Sequence, residues 1–453
     1  MNDSANQSTA ERPREQRREL EQIVGEVLAM ARQAGASAAQ AEAYFAEGLG
    51  VTVRLGEVDI LEHTRDRGLA VTVYLGHKKG SVSCGDLQPE TLRTAVERAV
   101  TIARYTEEDP YCGLADAELM AAELPELDLW HPTTLSADQA IERALRCEQA
   151  ARDSDSRITN SDGASVERNV FMNAYGNSHG FLASEWSTVY NQSAALIAGR
   201  GDSMQSDYWW DSSRVFSDLE APETTGKKAA QRTLARLNGR QLPTMSAPVL
   251  FTPRIASGVI GHLVNAVTGS ALYQRSSFLV DQQGERLFPE WFTIDEDPLL
   301  RRGMRSSAFD NDGVATRQQP LIADGRLARY VLSAYSGRRL GLSTTANAGG
   351  VRNLIVRPGA DDFDAMVRRL GRGLIVDDVM GQGVNTVTGD YSRGASGFWV
   401  EDGEIAYPVE EVTIASNLRD MFANVVAVGS DLDHRRNIQS PSLLLAKMTI
   451  AGS

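Results

Sequence analysis

Histidines are the residues of this chain best suited to hold a metal ion or to move a proton near neutral pH. No two of them lie within ten residues of each other, so the paired imidazoles of an HExxH zinc motif, which share one helical face, are absent. Any metal site would have to be assembled from segments that are far apart in the sequence. The six histidines are His63, His77, His131, His179, His262 and His434.

The three cysteines, Cys84, Cys112 and Cys147, are odd in number and widely spaced, and no CxxC motif occurs. This pattern indicates neither a disulfide framework nor a thiolate zinc site. The N-terminal segment lacks the apolar stretch of a signal peptide. The longest apolar runs are far shorter than the roughly 20 residues that span a bilayer. The sequence therefore predicts a cytoplasmic protein that does not enter a membrane.

Acidic residues outnumber basic ones, and the formal net charge is -14. Such a surface repels phosphate backbones, so we do not expect binding to nucleic acid. Adjacent carboxylates such as Asp377 and Asp378 point to opposite faces of a strand, so they do not imply a shared acid–base site. We expect these pairs to be solvated charges.

Two glycine-containing segments begin like catalytic or nucleotide-binding motifs and then depart from them. The segment 394–398 has Phe398 in place of the second glycine of a G-x-S-x-G nucleophile elbow. The segment 371–373 lacks the third glycine of a dinucleotide-binding loop and follows a predicted helix instead of a strand. No serine or carboxylate residues occur at a spacing typical of a hydrolase site, so the sequence does not support a stand-alone hydrolase.

Tyr208, Trp209 and Trp210 form an aromatic cluster between two aspartates. On a strand, neighbouring side chains point to opposite faces, so one ring would be buried and the next exposed. The other interpretation is an apolar lining for a bound peptide, and both stay open.

Two hydrophobic periods alternate along the chain and predict the elements that would carry these residues. Apolar residues at i, i+3, i+4 and i+7 predict helices, and alternation of apolar and polar residues predicts strands. Asp-Gly pairs at 324–325 and 402–403 are hairpin signals, and 281–284 is a turn of the same kind. The predicted helices span about 20–31, 89–105, 137–152, 223–237, 255–272, 362–370 and 418–425. The predicted strands of the first half lie at about 51–55, 69–75, 81–84, 170–174 and 180–198.

These elements predict an α+β protein of two domains. The first domain, at residues 19–240, is an N-terminal antiparallel sheet with flanking helices, and a polar N-terminal tail at 1–18 precedes it. The second, at residues 241–453, is a β-rich C-terminal domain. A polar, proline-containing stretch at 238–248 marks the predicted boundary.

Eight short segments, in order along nearly the whole chain after the tail, together resemble the TldD/PmbA metallopeptidase family. The set as a whole is highly specific. The segments are ITN at 158–160, GNSHG at 176–180, GHLVNA at 261–266, MGQGV at 380–384, GDYSRGA at 389–395, GFWVE at 397–401, PVEEVTIA at 408–415 and MTIAG at 448–452.

The resemblance implies two kinds of subunit. In the family, TldD-type chains carry an HExxxH motif on a helix, and a cysteine nearer the C-terminus completes the zinc site. PmbA-type chains, also called TldE-type chains, pair with them, and the implied heterodimer encloses a cavity that admits unfolded peptides. The segments of this chain are similar to the PmbA type.

The HExxxH motif is degenerate in this chain. His262 matches the first histidine, but Leu263 takes the place of the glutamate base and Val267 that of the second histidine. The segment 430–440, where the cysteine would fall, contains no thiol. A catalytic zinc needs about three protein ligands and a base that takes the proton from its water. The resemblance therefore predicts no cofactor in this chain and a zinc ion in the partner subunit.

Two interpretations remain for His262 and for His434. His262 could complete the zinc site of the partner as a residual ligand, and His434, in the segment of the lost cysteine, could substitute as a ligand. Alternatively, His262 is a hydrogen-bonded structural residue on a packed helix, and His434 is structural as well. Since no base or third ligand accompanies them in the sequence, we favour the structural interpretation.

The resemblance thus predicts a non-catalytic subunit of a heterodimeric zinc metallopeptidase that acts on unfolded peptides or peptide precursors. It would complete the peptide chamber and present strand edges, because main-chain pairing recognises unfolded segments with little sequence preference. A glycine-rich stretch is predicted to face substrate or partner, and its alternative interpretation is an ordinary turn before a hairpin at 398–407. Its residues are Gly389, Asp390, Tyr391, Arg393 and Gly394.

A rival hypothesis is a stand-alone homodimer that binds peptides or a regulatory protein and has no peptidase activity. The sequence does not exclude it. Co-purification with a TldD-type chain would discriminate between the two, as would a cavity that is open to solvent without that partner.

Overall fold

The computed structural model describes the backbone of residues 3–452 and the side chains from residue 13 onward. Within that range the chain forms nine α-helices and 17 strands, which build three sheets. Met1 and Asn2, at the start of the predicted tail, lie outside the described residues. The helices are α1 (Asp3–Gln33), α2 (Pro89–Tyr105), α3 (Ala137–Arg152), α4 (Pro222–Ala235), α5 (Pro253–Ala266), α6 (Gly269–Tyr273), α7 (Ala334–Leu340), α8 (Phe363–Leu370) and α9 (Leu418–Ala423). The strands are β1 (Ala38–Arg54), β2 (Glu57–Leu75), β3 (Lys78–Cys84), β4 (Ile158–Asn177), β5 (Leu182–Ala198), β6 (Gln205–Ser213), β7 (Met245–Phe251), β8 (Ile294–Glu296), β9 (Gln319–Ala323), β10 (Arg326–Leu327), β11 (Leu354–Val356), β12 (Gly373–Met380), β13 (Asp390–Glu401), β14 (Glu404–Asn417), β15 (Val425–Val428), β16 (Ile438–Gln439) and β17 (Leu443–Ala451).

The N-terminal sheet has six strands in the order β3-β2-β1-β4-β5-β6, all antiparallel. Alternate residues of β1 are buried, because successive side chains of a strand point to opposite faces. Helices α1 and α2 cover one part of the sheet, around Val24 and Val96. Helices α3 and α4 cover another part, around Cys147 and Ala229. The sheet therefore carries two separate apolar cores along its length.

Local sequence signals explain where the N-terminal helices begin. Ser136 and Gln139 form a capping box at α3, in which each side chain accepts a hydrogen bond from the other residue's backbone N–H. Helix α1 begins at Asp3, so most of the segment predicted as a tail is helical. An ion pair of 2.7 Å between Arg17 and Glu21, one turn apart, supports this polar end of the helix.

Among the residues described, no helix is both long and apolar enough to cross a membrane.

The C-terminal half is built on a six-stranded sheet in the order β14-β13-β12-β7-β17-β15. Strand β7 runs parallel to β12, and β14 also pairs with β17, which closes five of the strands into a ring. Helix α5 packs on one face, over a large apolar core that includes Phe251 and Trp399. Helix α8 packs on the other face, over a smaller core around Leu250 and Ile375. A second, five-stranded sheet has the order β10-β9-β8-β11-β16.

Both predicted Asp-Gly hairpins are confirmed. Asp324 and Gly325 join β9 to β10 with φ angles of 48° and 74°, and Asp402 and Gly403 join β13 to β14 with 50° and 77°. Two positive φ angles in succession are what a type I′ turn requires. The predicted α+β class, with an antiparallel N-terminal sheet and a β-rich C-terminal half, is confirmed as well. The residue bounds of the two domains stay a prediction.

The helix predicted at 255–272 is wrong in its extent, because two helices, α5 and α6, occupy this segment. Between them Thr268 is extended, with φ −67° and ψ 143°, and pairs with Val331. A Cβ on Gly269 would lie 2.3 Å from the side chain of Ser336, so only glycine allows this close approach. The break leaves Val267 at the C-terminal end of α5 rather than in the middle of a longer helix.

Candidate functional site

Helix α5 carries the degenerate zinc motif and is packed as core. Leu263 and Val267 have 0% exposure, and both belong to the large apolar core on this face of the sheet. They occupy the positions of the family's glutamate base and second histidine. A side chain there contacts other apolar groups and has no route to a bound water. Two of the three positions at which the resemblance places the zinc motif are therefore part of the apolar core.

His262 is half-buried on the same helix, and its ring meets the ring of Tyr391 edge-on, with the centroids 6.0 Å apart. Burial lowers the pKa of His262, and the nearby positive charge of Arg393 lowers it further. The imidazole is therefore held in its neutral form. No hydrogen bond to this ring is found among the described side chains, so the aromatic contact positions it, rather than the expected hydrogen bond.

The segment 430–440 lies beside α5, where the resemblance predicts the missing cysteine. A Cβ on Gly261 of α5 would be 3.9 Å from Cδ1 of Ile438, an ordinary van der Waals distance. Ile438 belongs to β16, which pairs in parallel with β11. His434 is exposed, and its Nδ1 lies 3.0 Å from Oε1 of the buried Gln439. The structure thus brings the helix and the segment together, but through an aliphatic side chain.

The residues at this position do not fit a catalytic zinc ion. His262 is the one motif ligand retained, and Leu263 and Val267 offer no donor atom. Where side chains are described, no group of three or more His, Cys, Asp or Glu lies close enough together to hold a metal ion. We therefore assign no catalytic step to this helix.

The stretch predicted to face substrate or partner forms the first residues of β13. Tyr391 and Gly389 are buried, Arg393 and Gly394 are half-buried, and Asp390 is exposed. The exposed part is the preceding loop, 381–388, flanked by Met380 with 53% exposure. The Asp390 carboxylate accepts hydrogen bonds from Thr388 Oγ1 at 2.6 Å and Asn417 Nδ2 at 3.3 Å. Whether this stretch meets a partner stays a prediction, and its surface consists of the loop and Asp390.

A cavity of about 610 Å³ lies at the junction of the two halves of the molecule, and we call it the junction cavity. Strand β6 and helix α4 supply its N-terminal wall. The start of α5, the start of α8, strands β12 to β14 and the segment 431–435 supply the rest. Apolar side chains form much of the lining. They are Trp209, Phe363, Ile375, Phe398, Ile405 and Leu432. A cavity of this size and lining is suited to hold an apolar group.

An ion-pair network closes one side of the junction cavity. The Asp207 side chain, with 2% exposure, accepts from Arg232 at 3.1 Å, Arg236 at 2.9 Å and Arg254 at 3.3 Å. Burial alone would raise the pKa of Asp207, but the three guanidinium groups outweigh it and lower the pKa. Because Asp207 and the first two arginines belong to the N-terminal half and Arg254 begins α5, the network ties the two halves together.

The expectation that adjacent carboxylates are solvated is wrong for Asp377, which lies within β12. It is buried, and its carboxylate accepts from Arg232 at 2.6 Å and from Thr252 Oγ1 at 3.0 Å. Its neighbour Asp378 is more exposed and accepts from Arg236 at 3.4 Å. A bulge interrupts the pairing of β12 with β13 between Val376 and Asp378, and both carboxylates accept from arginines of the junction network.

The aromatic cluster on β6 holds the segment 431–435 in place. The Arg435 guanidinium lies over the rings of Trp209 and Trp210, at 4.4 Å and 4.6 Å from their centroids. It also donates to Asp433, from Nε at 2.8 Å and from Nη2 at 3.1 Å. Tyr208 is exposed, while both tryptophans are half-buried and Trp209 lines the junction cavity. The predicted alternation of a buried and an exposed ring is not found, since no ring of the cluster is fully buried, and a role as the lining for a bound peptide stays a prediction.

Sequence reasoning missed the arginines that organise this junction. Arg232 and Arg236 stand one helical turn apart, which is the only local signal. Their partners Asp207 and Asp377 come from distant segments, so the pairing follows from tertiary structure.

Comparison with known proteins places the chain in a family. Sequence models of PmbA/TldA metallopeptidases match it in three places, with domain 1 at residues 41–103, the central domain at 130–237 and the C-terminal domain at 244–452. The chain belongs to the PmbA/TldD metallopeptidase family. The metalloprotease PmbA of Escherichia coli O157:H7 is 46% identical over 439 residues, which cover 96% of this chain and 97% of that protein.

Two solved structures share the fold over nearly the whole length. A candidate modulator of DNA gyrase from Bacteroides thetaiotaomicron gives a TM-score of 0.91 at 27% identity, covering 95% of this chain and 98% of that one. TldE from Thermococcus kodakarensis gives 0.84 at 19% identity, covering 95% and 100%. The sequence and fold likenesses together place the chain in the PmbA-type, or TldE-type, branch of the family.

Proposed function

We propose that this chain is the non-catalytic subunit of a heterodimeric zinc metallopeptidase that acts on unfolded peptides or peptide precursors in the cytoplasm. The observation that carries the proposal is the complete burial of Leu263 and Val267 where the family's base and second ligand stand. A zinc ion and its base would then belong to a TldD-type partner. The free cysteines among the described residues are in keeping with a reducing compartment.

The contribution of this chain would be to complete the peptide chamber. Outer strands such as β3, β6 and β15 each have one edge that no strand of the sheet pairs. Main-chain groups on such an edge can pair with an extended peptide whatever its side chains. The loop 381–388 and Asp390 would face the partner or the chamber, since they are the exposed part of the predicted contact stretch.

The test combines this chain with a TldD-type subunit and measures zinc content and hydrolysis of an unfolded peptide for each chain alone and for the mixture. We expect activity and zinc only where the TldD-type chain is present. His262→Gln and His434→Gln in this chain should leave both quantities unchanged within about twofold. A Glu→Gln change in the HExxxH motif of the other chain serves as the matched control and should abolish hydrolysis.

Loss of zinc or of activity with His262→Gln would contradict the proposal, because His262 would then act as a ligand across the interface. Leu263→Glu is less suitable for this test, since Leu263 is fully buried and the change would disturb folding.

A second candidate function is peptide or regulator binding by a stand-alone homodimer, and the junction cavity favours it, because it is apolar and large enough for side chains without any partner. Ile405 lines the cavity with 51% exposure, so Ile405→Lys would obstruct it without disturbing the core. Val426→Lys, at 41% exposure on β15, is the matched control. If this function holds, an apolar peptide binds the isolated chain, and Ile405→Lys weakens the binding whereas Val426→Lys does not. Absence of binding by the isolated chain would contradict this function.

A further inference from the structure

A second cavity, of about 410 Å³, lies between the N-terminal sheet and the loops around residues 304–311, and we call it the arginine cavity. Arg214, Arg305 and Arg352 line it, together with aromatic walls that include Phe171 and Phe309. Neither helix α5 nor the segment 430–440 contributes to its lining. It is therefore separate from the site of the degenerate zinc motif and from the junction cavity.

Two of its arginines are buried without a carboxylate partner. Among the described residues, Arg214, Arg329 and Arg352 are the arginines with less than a tenth of their surface exposed, at 5%, 7% and 5%. Arg329 forms an ion pair with the buried Glu296. No ion pair to Arg214 or Arg352 is found where side chains are described. A buried guanidinium without an anion is costly, so this pair calls for an explanation.

The guanidinium groups of these two arginines donate to neutral backbone oxygens and leave donors unused, while the backbone N–H of Arg352 donates to Glu296 Oε1 at 2.6 Å. Arg214 donates to Thr188 O at 3.2 Å, Gly303 O at 3.1 Å and Met304 O at 2.6 Å. Arg352 donates from Nη2 to Phe309 O at 3.3 Å. The Nε atom of each is buried and has no partner in the described structure. Both arginines thus line the cavity without a carboxylate in contact with the guanidinium group among the described residues, while the more distant Asp310, Glu185 and Glu296 act on the charge of Arg352.

The carboxylates that also line the cavity are already occupied. Glu185 accepts from Ser307 Oγ at 2.6 Å and from Ala308 N at 3.3 Å, and Asp310 accepts from three backbone N–H groups. Burial raises the pKa of Glu185, and burial with the neighbouring Asp312 raises the pKa of Asp310 to about 7. Glu42 accepts from Asn173 Nδ2 at 3.1 Å. These acids limit the positive charge of the cavity without neutralising its arginines by contact.

We propose that the arginine cavity binds the carboxylate of a peptide C-terminus, held by the guanidinium groups of Arg214 and Arg352 and by a third positive charge from the exposed Arg305. The planar N–H donors of a guanidinium match the two oxygens of a carboxylate, and these hydrogen bonds are strengthened by charge. The three acids at the cavity disfavour a dianion such as phosphate, because like charges repel more strongly away from bulk water. Phe171 and Phe309 would receive the last side chain. That the carboxylate comes from a peptide rests on the proposed function.

The experiment measures binding to the isolated chain by calorimetry, using one unstructured peptide that ends in phenylalanine, as the free acid and as the C-terminal amide. We expect the free acid to bind at least tenfold more tightly than the amide. Arg352→Met should abolish that preference and should leave the melting temperature unchanged or raised, because it removes an unpaired buried charge. Arg305→Gln should reduce the preference about threefold, and the exposed Arg326→Gln, outside the cavity, should leave it unchanged.

Equal binding of acid and amide would overturn the proposal, as would a preference that survives Arg352→Met and Arg305→Gln. Inorganic phosphate that displaces the free acid at lower concentration than acetate does would overturn the choice of a carboxylate. If Arg352→Met fails to fold, the acid–amide comparison and Arg305→Gln still decide. The binding measurement needs neither zinc nor a second subunit. A result against carboxylate binding can therefore be told apart from a result against the proposed heterodimeric peptidase.

Discussion

Helix α5 and the junction cavity differ in what has become of their polar groups. On α5, two of the three positions of the zinc motif are apolar and fully buried, so the helix is retained as part of a core. At the junction, Asp207 and Asp377 are also buried, but each is paired with arginines from another segment. Helix α5, where the resemblance places the zinc motif, thus contributes to the stability of the core. The junction, which has no recognised motif, joins the two halves and keeps an open cavity.

The largest expected effect comes from returning the family's glutamate to α5. Leu263→Glu should lower the free energy of unfolding by about 4 kcal/mol or more, because it buries a carboxylate with no partner. Denaturant unfolding measures this. Leu263→Met, which conserves volume, is the control and should cost less than about 1.5 kcal/mol. A Glu variant as stable as the Met variant would mean that this part of α5 is not a closed core.

Removing the shared acceptor at the junction should have the next largest effect. Asp207→Ala leaves three arginines without their common carboxylate and should cost about 3–5 kcal/mol of unfolding free energy. Asp378→Ala, with a single, longer contact to Arg236, should cost no more than about 1 kcal/mol. Equal losses for the two variants would show that burial does not set the strength of this network.

The titration of His262 sharpens the comparison on the α5 side. Its pKa in the folded chain should fall below the ordinary 6.5, chiefly from burial and then from Arg393, and an NMR titration of the imidazole would report it. Arg393→Gln should raise the pKa without restoring the ordinary value. An ordinary or raised pKa would contradict the packing described for this ring.

The sign of the stability effect follows from that pKa. The unfolded chain binds a proton at His262 near pH 6.5, whereas the folded chain binds it only at lower pH. The contribution of His262 to stability is therefore fully present above the unfolded pKa, and it is lost as the pH falls from 6.5 toward the folded pKa. The loss is at most about 1.4 kcal/mol per pH unit.

The smallest expected effect concerns the stacking of Arg435 on β6. Arg435→Lys keeps the charge but loses the planar group that lies over Trp209 and Trp210, and it should cost about 1 kcal/mol. Unfolding followed by tryptophan fluorescence measures both stability and the local change. Arg357→Lys, at an exposed ion pair with Asp295, is the control and should cost less than about 0.5 kcal/mol. Indistinguishable costs would show that the stacking contributes little.

The sequence predicts local structure well where the signal is local. The limits of α2 and α3 agree with the structure, and the Asp-Gly hairpins are found where they were expected. The single helix predicted at 255–272 was wrong, because an apolar period does not reveal the extended Thr268 that pairs with Val331. Contact with a distant strand outweighed the local pattern.

For the candidate site, the sequence predicts the loss of the motif but not the geometry that replaces it. The apolar character of Leu263 and Val267 is visible in the sequence, and their burial follows from it. The burial of Tyr391 against His262 and the pairing of Asp377 with Arg232 are not visible, because they join residues that are far apart in the chain. From the sequence alone, Asp377 and Asp378 are expected to be solvated, because nothing local shows that Asp377 forms an ion pair at the junction of the two halves.

Zinc stoichiometry shows whether the metal ion belongs to the TldD-type subunit, as we propose, or to this chain. We would purify this chain alone and in complex with a TldD-type subunit and measure zinc per polypeptide by mass spectrometry. We expect no bound zinc in the isolated chain and one zinc ion per heterodimer, unchanged by His262→Gln. Stoichiometric zinc in the isolated chain, lost on His262→Gln or His434→Gln, would contradict it and would make this chain a metal-binding subunit in its own right.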